Sequence, residues 1–104
     1  MHKVVINDEF GGFALSYLAT ERLEDLGVDV SAFTDRFDRK AYNIPRHHPL
    51  LVKVVEELGK KASEEYSDLI VVTIPGTKYV IREYDGREWI ETPEDIKWIT
   101  VSAE

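Results

Sequence analysis

With 104 residues, 43% of them hydrophobic and 11% aromatic, the chain has enough apolar material for one core, which excludes disorder as its default state. The absence of cysteine excludes disulfides, thiolate-ligated zinc, iron–sulfur clusters and a thiol nucleophile. A net charge of −7 argues against general nucleic-acid binding, which depends on Lys and Arg neutralising phosphates.

Lys3 to Asn7 reads as a strand, because its three consecutive β-branched residues suit a strand buried on both faces. Phe10-Gly11-Gly12-Phe13 then stops it, glycine tolerating backbone angles closed to other residues. Ser16 is placed to cap a helix over 17–26, with Leu15, Leu18, Ala19, Leu23 and Leu26 at helical spacing and Gly27 placed to end it. Val28 to Phe33 reads as a short strand or extended linker, Thr34 to Lys40 as a loop, and Ala41 to Ile44 as a brief strand made an edge by Pro45.

His48-Pro49 opens a second helix, Pro suiting the first helical position. Its apolar face is Leu50, Leu51, Val54, Val55, Leu58 and Ala62, and Gly59 marks a bend or early end. Asp68 to Ile74 reads as a central strand. Lys78 to Tyr84 and Arg87 to Thr92 flank Asp85-Gly86, the signature of a two-residue hairpin turn. That turn sets Arg82 opposite Trp89, as a cation–π pair, and Glu83 opposite Glu88, with Tyr79, Ile81 and Ile90 on the core face. Thr92-Pro93-Glu94-Asp95 resembles a helix start, whereas Ile96 to Val101 has strand composition.

These elements predict a single α+β domain over 1–104: two helices packed on one face of a mainly antiparallel sheet of about four strands, with a C-terminal β-meander. The apolar run at the N-terminus is too short for a signal peptide, and no stretch reaches the roughly 20 apolar residues that span a bilayer. The expected setting is therefore cytoplasmic, away from membranes.

The glycine turn is the sharpest candidate site. A strand-to-helix turn can present backbone N–H groups to an anion at the helix N-terminus. Gly11, Gly12 and Ser16 would supply donors, and Phe10 and Phe13 would either stack on a ring or anchor the turn in the core. The spacing matches neither GxxxxGK[ST] nor GxGxxG, and Glu9 would repel phosphate. Thr34 to His48 is locally basic, holding Arg36, Arg39, Lys40 and Arg46 against Asp35 and Asp38. Arg46 and His48 join the candidate anion site on that account. His47 or His48 could act as acid or base, but no partnered nucleophile accompanies them and no metal-binding spacing is present. Neither a cofactor nor a metal is expected. Glu83 with Glu88 reads as a cation site or as ordinary solvated charge, and Arg82, Tyr84 and Trp89 as an interaction surface or a second small core.

The ordered set Lys3-Val4-Val5-Ile6-Asn7, Gly11-Gly12-Phe13, Leu15-Ser16, Arg46, Pro49-Leu50-Leu51-Val52, Val54 to Gly59, Leu69 to Val72, Ile74-Pro75, Tyr84-Asp85-Gly86 and Glu88 resembles a group of small uncharacterised bacteriophage and bacterial proteins. His48 departs from the Asp expected before the Pro, and the C-terminal end diverges. The resemblance implies an α+β fold and a phage setting, hence the host cytoplasm, and brings no activity or catalytic residues. Three functions are then open: a non-enzymatic binding protein for a small anionic or nucleotide-like ligand, a protein–protein interaction module such as an inhibitor or accessory protein, and, ranked last, a small enzyme using His47 or His48. A homodimer is among the assemblies the reading allows.

Overall fold

The computed structural model describes residues 1–102. In chain order its elements are β1 (His2–Asn7), α1 (Tyr17–Asp25), α2 (Val30–Phe33), α3 (Pro49–Leu58) running into a 3-10 turn (Gly59–Ala62), β2 (Leu69–Ile74), β3 (Val80–Tyr84), β4 (Arg87–Glu91) and a 3-10 turn (Pro93–Asp95). The class is α+β. β1 pairs antiparallel with β2, Val4 opposite Val72 and Ile6 opposite Ile70. β3 pairs antiparallel with β4.

The four strands form two ribbons of two strands rather than one sheet, and β2 has a single strand neighbour rather than a central place. The burial of β1 gives the reason. Val4 and Val5 are both fully buried and point to opposite faces, so each face needs its own cover. On one side Val5 joins the main core with Phe13, Leu23, Leu51, Val54 and Val55 from the helical half. On the other, Val4, Ile6 and Ile74 form a smaller core with Tyr79, Ile81 and Ile90 of the hairpin. The hairpin is a lid on the first ribbon, not an extension of it.

The helices start and stop for local reasons. The Ser16 hydroxyl accepts from the Ala19 N–H at 3.1 Å and donates to the Lys61 carbonyl at 2.6 Å, so it caps α1 and ties it to the end of α3. His48 Nδ1 accepts from the Leu50 N–H at 3.1 Å and caps α3, with Pro49 in the first turn. Gly59, at φ 57°, ends α3 early.

Two segments differ from their sequence reading. Val30–Phe33 is one helical turn rather than a strand, a length too short to show a helical period. Ala41 to Ile44 is a turn, because Ala41 takes φ 55° while fully buried, an angle no strand accepts. Beyond the capping box of Thr92 and Asp95, residues 96–102 carry no regular structure.

Candidate functional site

The glycine turn is the seat of the hairpin tip. Gly11 and Gly12 have φ of 120° and 97°, and Gly86, at φ 89°, lies so close that a Cβ on it would sit 2.3 Å from the Gly12 nitrogen. A Cβ on Gly11 would meet the Tyr66 carbonyl oxygen at 2.6 Å. Gly86 and Gly11 leave no room for a side chain, whereas the Cβ position of Gly12 is open and only its positive φ favours glycine there. The Gly11 N–H donates to the Asp85 carbonyl at 3.2 Å. Asn7, fully buried at the end of β1, joins the same junction. Its amide donates to the Glu9 and Gly86 carbonyls at 2.8 and 2.9 Å, and its oxygen accepts from the Asp68 N–H at 2.8 Å.

Arg46 and Glu88 lock this junction. Arg46 donates through both terminal nitrogens to the two Glu88 oxygens, at 2.6 and 2.9 Å, and its guanidinium carbon lies 3.6 Å from the Phe13 ring centroid. Glu88 Oε1 also accepts from the Asn7 N–H at 2.8 Å, and the Val5 N–H donates to the Arg46 carbonyl at 2.8 Å. These two acceptors occupy the edge of β1 that a further strand would have used. The pair is nearly enclosed, with side chains 14% and 10% exposed.

The sequence-predicted site residues are thus brought together only in part. Gly11, Gly12, Phe13 and Arg46 meet, but each faces the hairpin or the core, and Phe13 is 5% exposed. Ser16 and His48 act as helix caps. Phe10 stays half-exposed, with Arg87 5.8 Å from its ring centroid and bonded to Asp8 at 3.0 Å. Sequence reasoning missed Asn7, Gly86 and Glu88 as one unit; a polar residue closing an apolar strand was the available signal.

Glu83 and Glu88 are cross-strand partners as expected, yet they do not act as a pair. Glu83 accepts from the Gly86 N–H at 2.8 Å, and Glu88 is held by Arg46. Arg82 lies opposite Trp89 in register, but its Nε is 3.5 Å from Glu91, and the cation–π contact does not form. Among the described residues no group of three or more His, Asp or Glu could hold a metal ion.

The basic loop is self-contained. The Asp35 carboxylate accepts from the Phe37 and Arg39 N–H groups and from Arg39 Nε, at 3.1, 2.8 and 2.6 Å. Burial pushes this carboxyl up, but the bonds from Arg39 and Phe37 bring it below its ordinary value. Arg39 also lies over Tyr42, 3.7 Å from the ring centroid.

What the fold leaves open includes the outer face of the hairpin and the C-terminal segment. Val80, Tyr84, Trp89 and Ile96 are 44–72% exposed, and Trp98, Ile99 and Val101 are 82–95% exposed. The molecule is accordingly elongated, 61 × 27 × 25 Å, with a radius of gyration of 15.8 Å against about 13 Å for a compact domain of this length. Comparison of the chain with protein-family models, curated proteins and solved structures found no match.

Proposed function

We propose that this chain is a protein-interaction module that engages its partner through the hairpin and the segment 96–101. The observation that carries the reading is the exposure of Trp98, Ile99 and Val101 on an unpaired segment of strand composition. Single exposed apolar side chains are ordinary, but a run of them following a hairpin whose outer face carries Val80, Tyr84 and Trp89 marks a contact surface. Tryptophan and tyrosine suit such a surface, offering large contact area for few rotatable bonds.

The physical mode is strand addition. Six residues in extended form span about 20 Å, and their backbone N–H and C=O groups can join a partner's open sheet edge while alternate side chains fill its pockets. The turn residues named for an anion are engaged internally, so the geometry favours this reading over a ligand site at Gly11 and Gly12. In the phage setting that the resemblance implies, the partner is a protein of the host cytoplasm, and the module acts as an inhibitor or accessory factor rather than an enzyme.

A photo-cross-linking residue at position 98 tests this. It should capture a discrete protein, identified by mass spectrometry, and the capture should fall in a Trp89→Ala chain of unchanged circular dichroism. Capture no greater than that from position 21, on the exposed side of α1, would remove the reading.

A further inference from the structure

A second candidate site lies where β1 begins and β2 ends, and it shares Tyr79 with the hollow that holds Val80 and Ile96. A cleft of about 520 Å³ is lined by His2, Lys3, His47 and Tyr79, over a floor that includes Val52 and Ile74. This volume falls in the range of small-molecule sites, about 300–1,000 Å³. The floor is closed and apolar, Val52 being 7% and Ile74 3% exposed.

The charge of the lining is what sets the cleft apart. The chain carries twenty carboxylate side chains, and none of them lines it. Its ionisable side chains are one ammonium, two imidazoles and a phenol, and Met1, which carries the α-amino group, lines it as well. His2 and Lys3 come from the start of β1, and His47 from the loop that enters α3. Separate segments therefore bring basic groups to one apolar hollow.

Local bonds hold these groups in place. His2 Nδ1 is 2.9 Å from the Gly76 carbonyl oxygen, so this nitrogen carries the proton, and Nε2 is the nitrogen left for a ligand. His47 Nδ1 is 2.6 Å from the Tyr79 hydroxyl, and the two rings meet edge to face, with centroids 5.8 Å apart. Burial pushes the Tyr79 phenol up, more than the charge of Arg46 pulls it down, so the hydroxyl keeps its proton. Lys3 Nζ bonds Glu56 at 2.7 Å, an ion pair about half exposed. An ammonium has three donors, and this contact uses one.

We infer that this cleft binds a small phosphate monoester with an apolar or aromatic body. Three separate nitrogen groups suit a headgroup with three terminal oxygens, where a carboxylate with two would leave one unmatched. With Nδ1 already donating to Gly76, the His2 Nε2 donates to a phosphate oxygen only in the imidazolium form, a form that imidazoles can take up near neutral pH beside an anion. The Val52 and Ile74 floor takes the apolar body, which inorganic phosphate lacks.

The test is a titration of the full chain followed by NMR at constant pH, reading the ring protons of His2, His47 and Tyr79. Adenosine monophosphate serves as the phosphate monoester, with inorganic phosphate and benzoate as comparisons. Saturable shifts of all three rings with the monoester are expected, with affinity about tenfold above either comparison and about tenfold lower in Lys3→Gln. That substitution is on an exposed side chain and leaves the core intact, so a matching amide spectrum certifies the fold. Linear shifts without saturation, equal affinity for any of the three probes, or unchanged affinity in Lys3→Gln would overturn the inference.

Discussion

Arg46 carries several tasks at once, and that makes it unequal to any other cation in the chain. Its side chain is bonded to Glu88 and stacked on Phe13, while its carbonyl receives β1. Breaking a largely buried ion pair leaves a charge that has lost its solvent and its partner, at a cost of about 3–5 kcal/mol. Arg46→Met and Glu88→Gln should each destabilise by roughly 3 kcal/mol in urea unfolding, whereas Arg22→Met, at a half-exposed pair with Glu57, should cost under about 1 kcal/mol. The double change Arg46→Met/Glu88→Leu will not recover stability, because the Asn7 N–H loses its acceptor as well. Asp35 gives a prediction in pH. Its folded carboxyl titrates below the unfolded value of about 3.9. The stabilisation it gives the loop is therefore complete above that value and is lost as pH falls through the lower, folded one. Protection of the Phe37 and Arg39 amides, taken relative to the intrinsic exchange rate at each pH, should fall below about pH 4, ahead of global unfolding, and constant protection down to acid denaturation would contradict the assignment.

The element that organises the fold is the hairpin, and its tip is more demanding than its strands. Gly86→Ala brings a Cβ into the Gly12 backbone and also strains a left-handed residue. Such a change should cost about 2 kcal/mol or more, and selectively expose the smaller core around Val4 and Ile74. Gly76→Ala has open space and should stay within about 0.5 kcal/mol. Equal effects in thermal melts would dismiss the junction. The hairpin register was legible because Asp85-Gly86 admits only a turn with positive φ at both residues, here 52° and 89°. Both long helices were legible from their caps and apolar faces. The ribbon arrangement was not, since pairing of β1 on its second edge is pre-empted by a carbonyl and a carboxylate from distant residues. Ala41 was misread because composition reports strand preference, not the backbone angle that burial of a small residue allows. For the site, sequence named Gly11, Gly12, Phe13 and Arg46 without their common partner, because only the folded chain brings residues 85–88 to residue 12.

At the scale of the molecule, the fold divides its apolar surface unevenly. The helical half and the first ribbon close around buried side chains, and among the described residues no buried side-chain polar atom lacks a partner. The C-terminal end instead holds Trp98, Ile99 and Val101 in solvent. No helix among the described residues is long and apolar enough to cross a membrane. Because residues 96–102 make no regular structure and cover no core, their removal should leave the unfolding midpoint within about 3 °C of the full chain, less than the shift 1 kcal/mol produces at this size. The measurement that bears most directly on the account is a side-by-side comparison of the full chain with one ending at Asp95, for partner capture by affinity pull-down and for thermal unfolding together. The account predicts an unchanged melt with capture abolished. Capture retained by the shortened chain, with its fold intact, would contradict it.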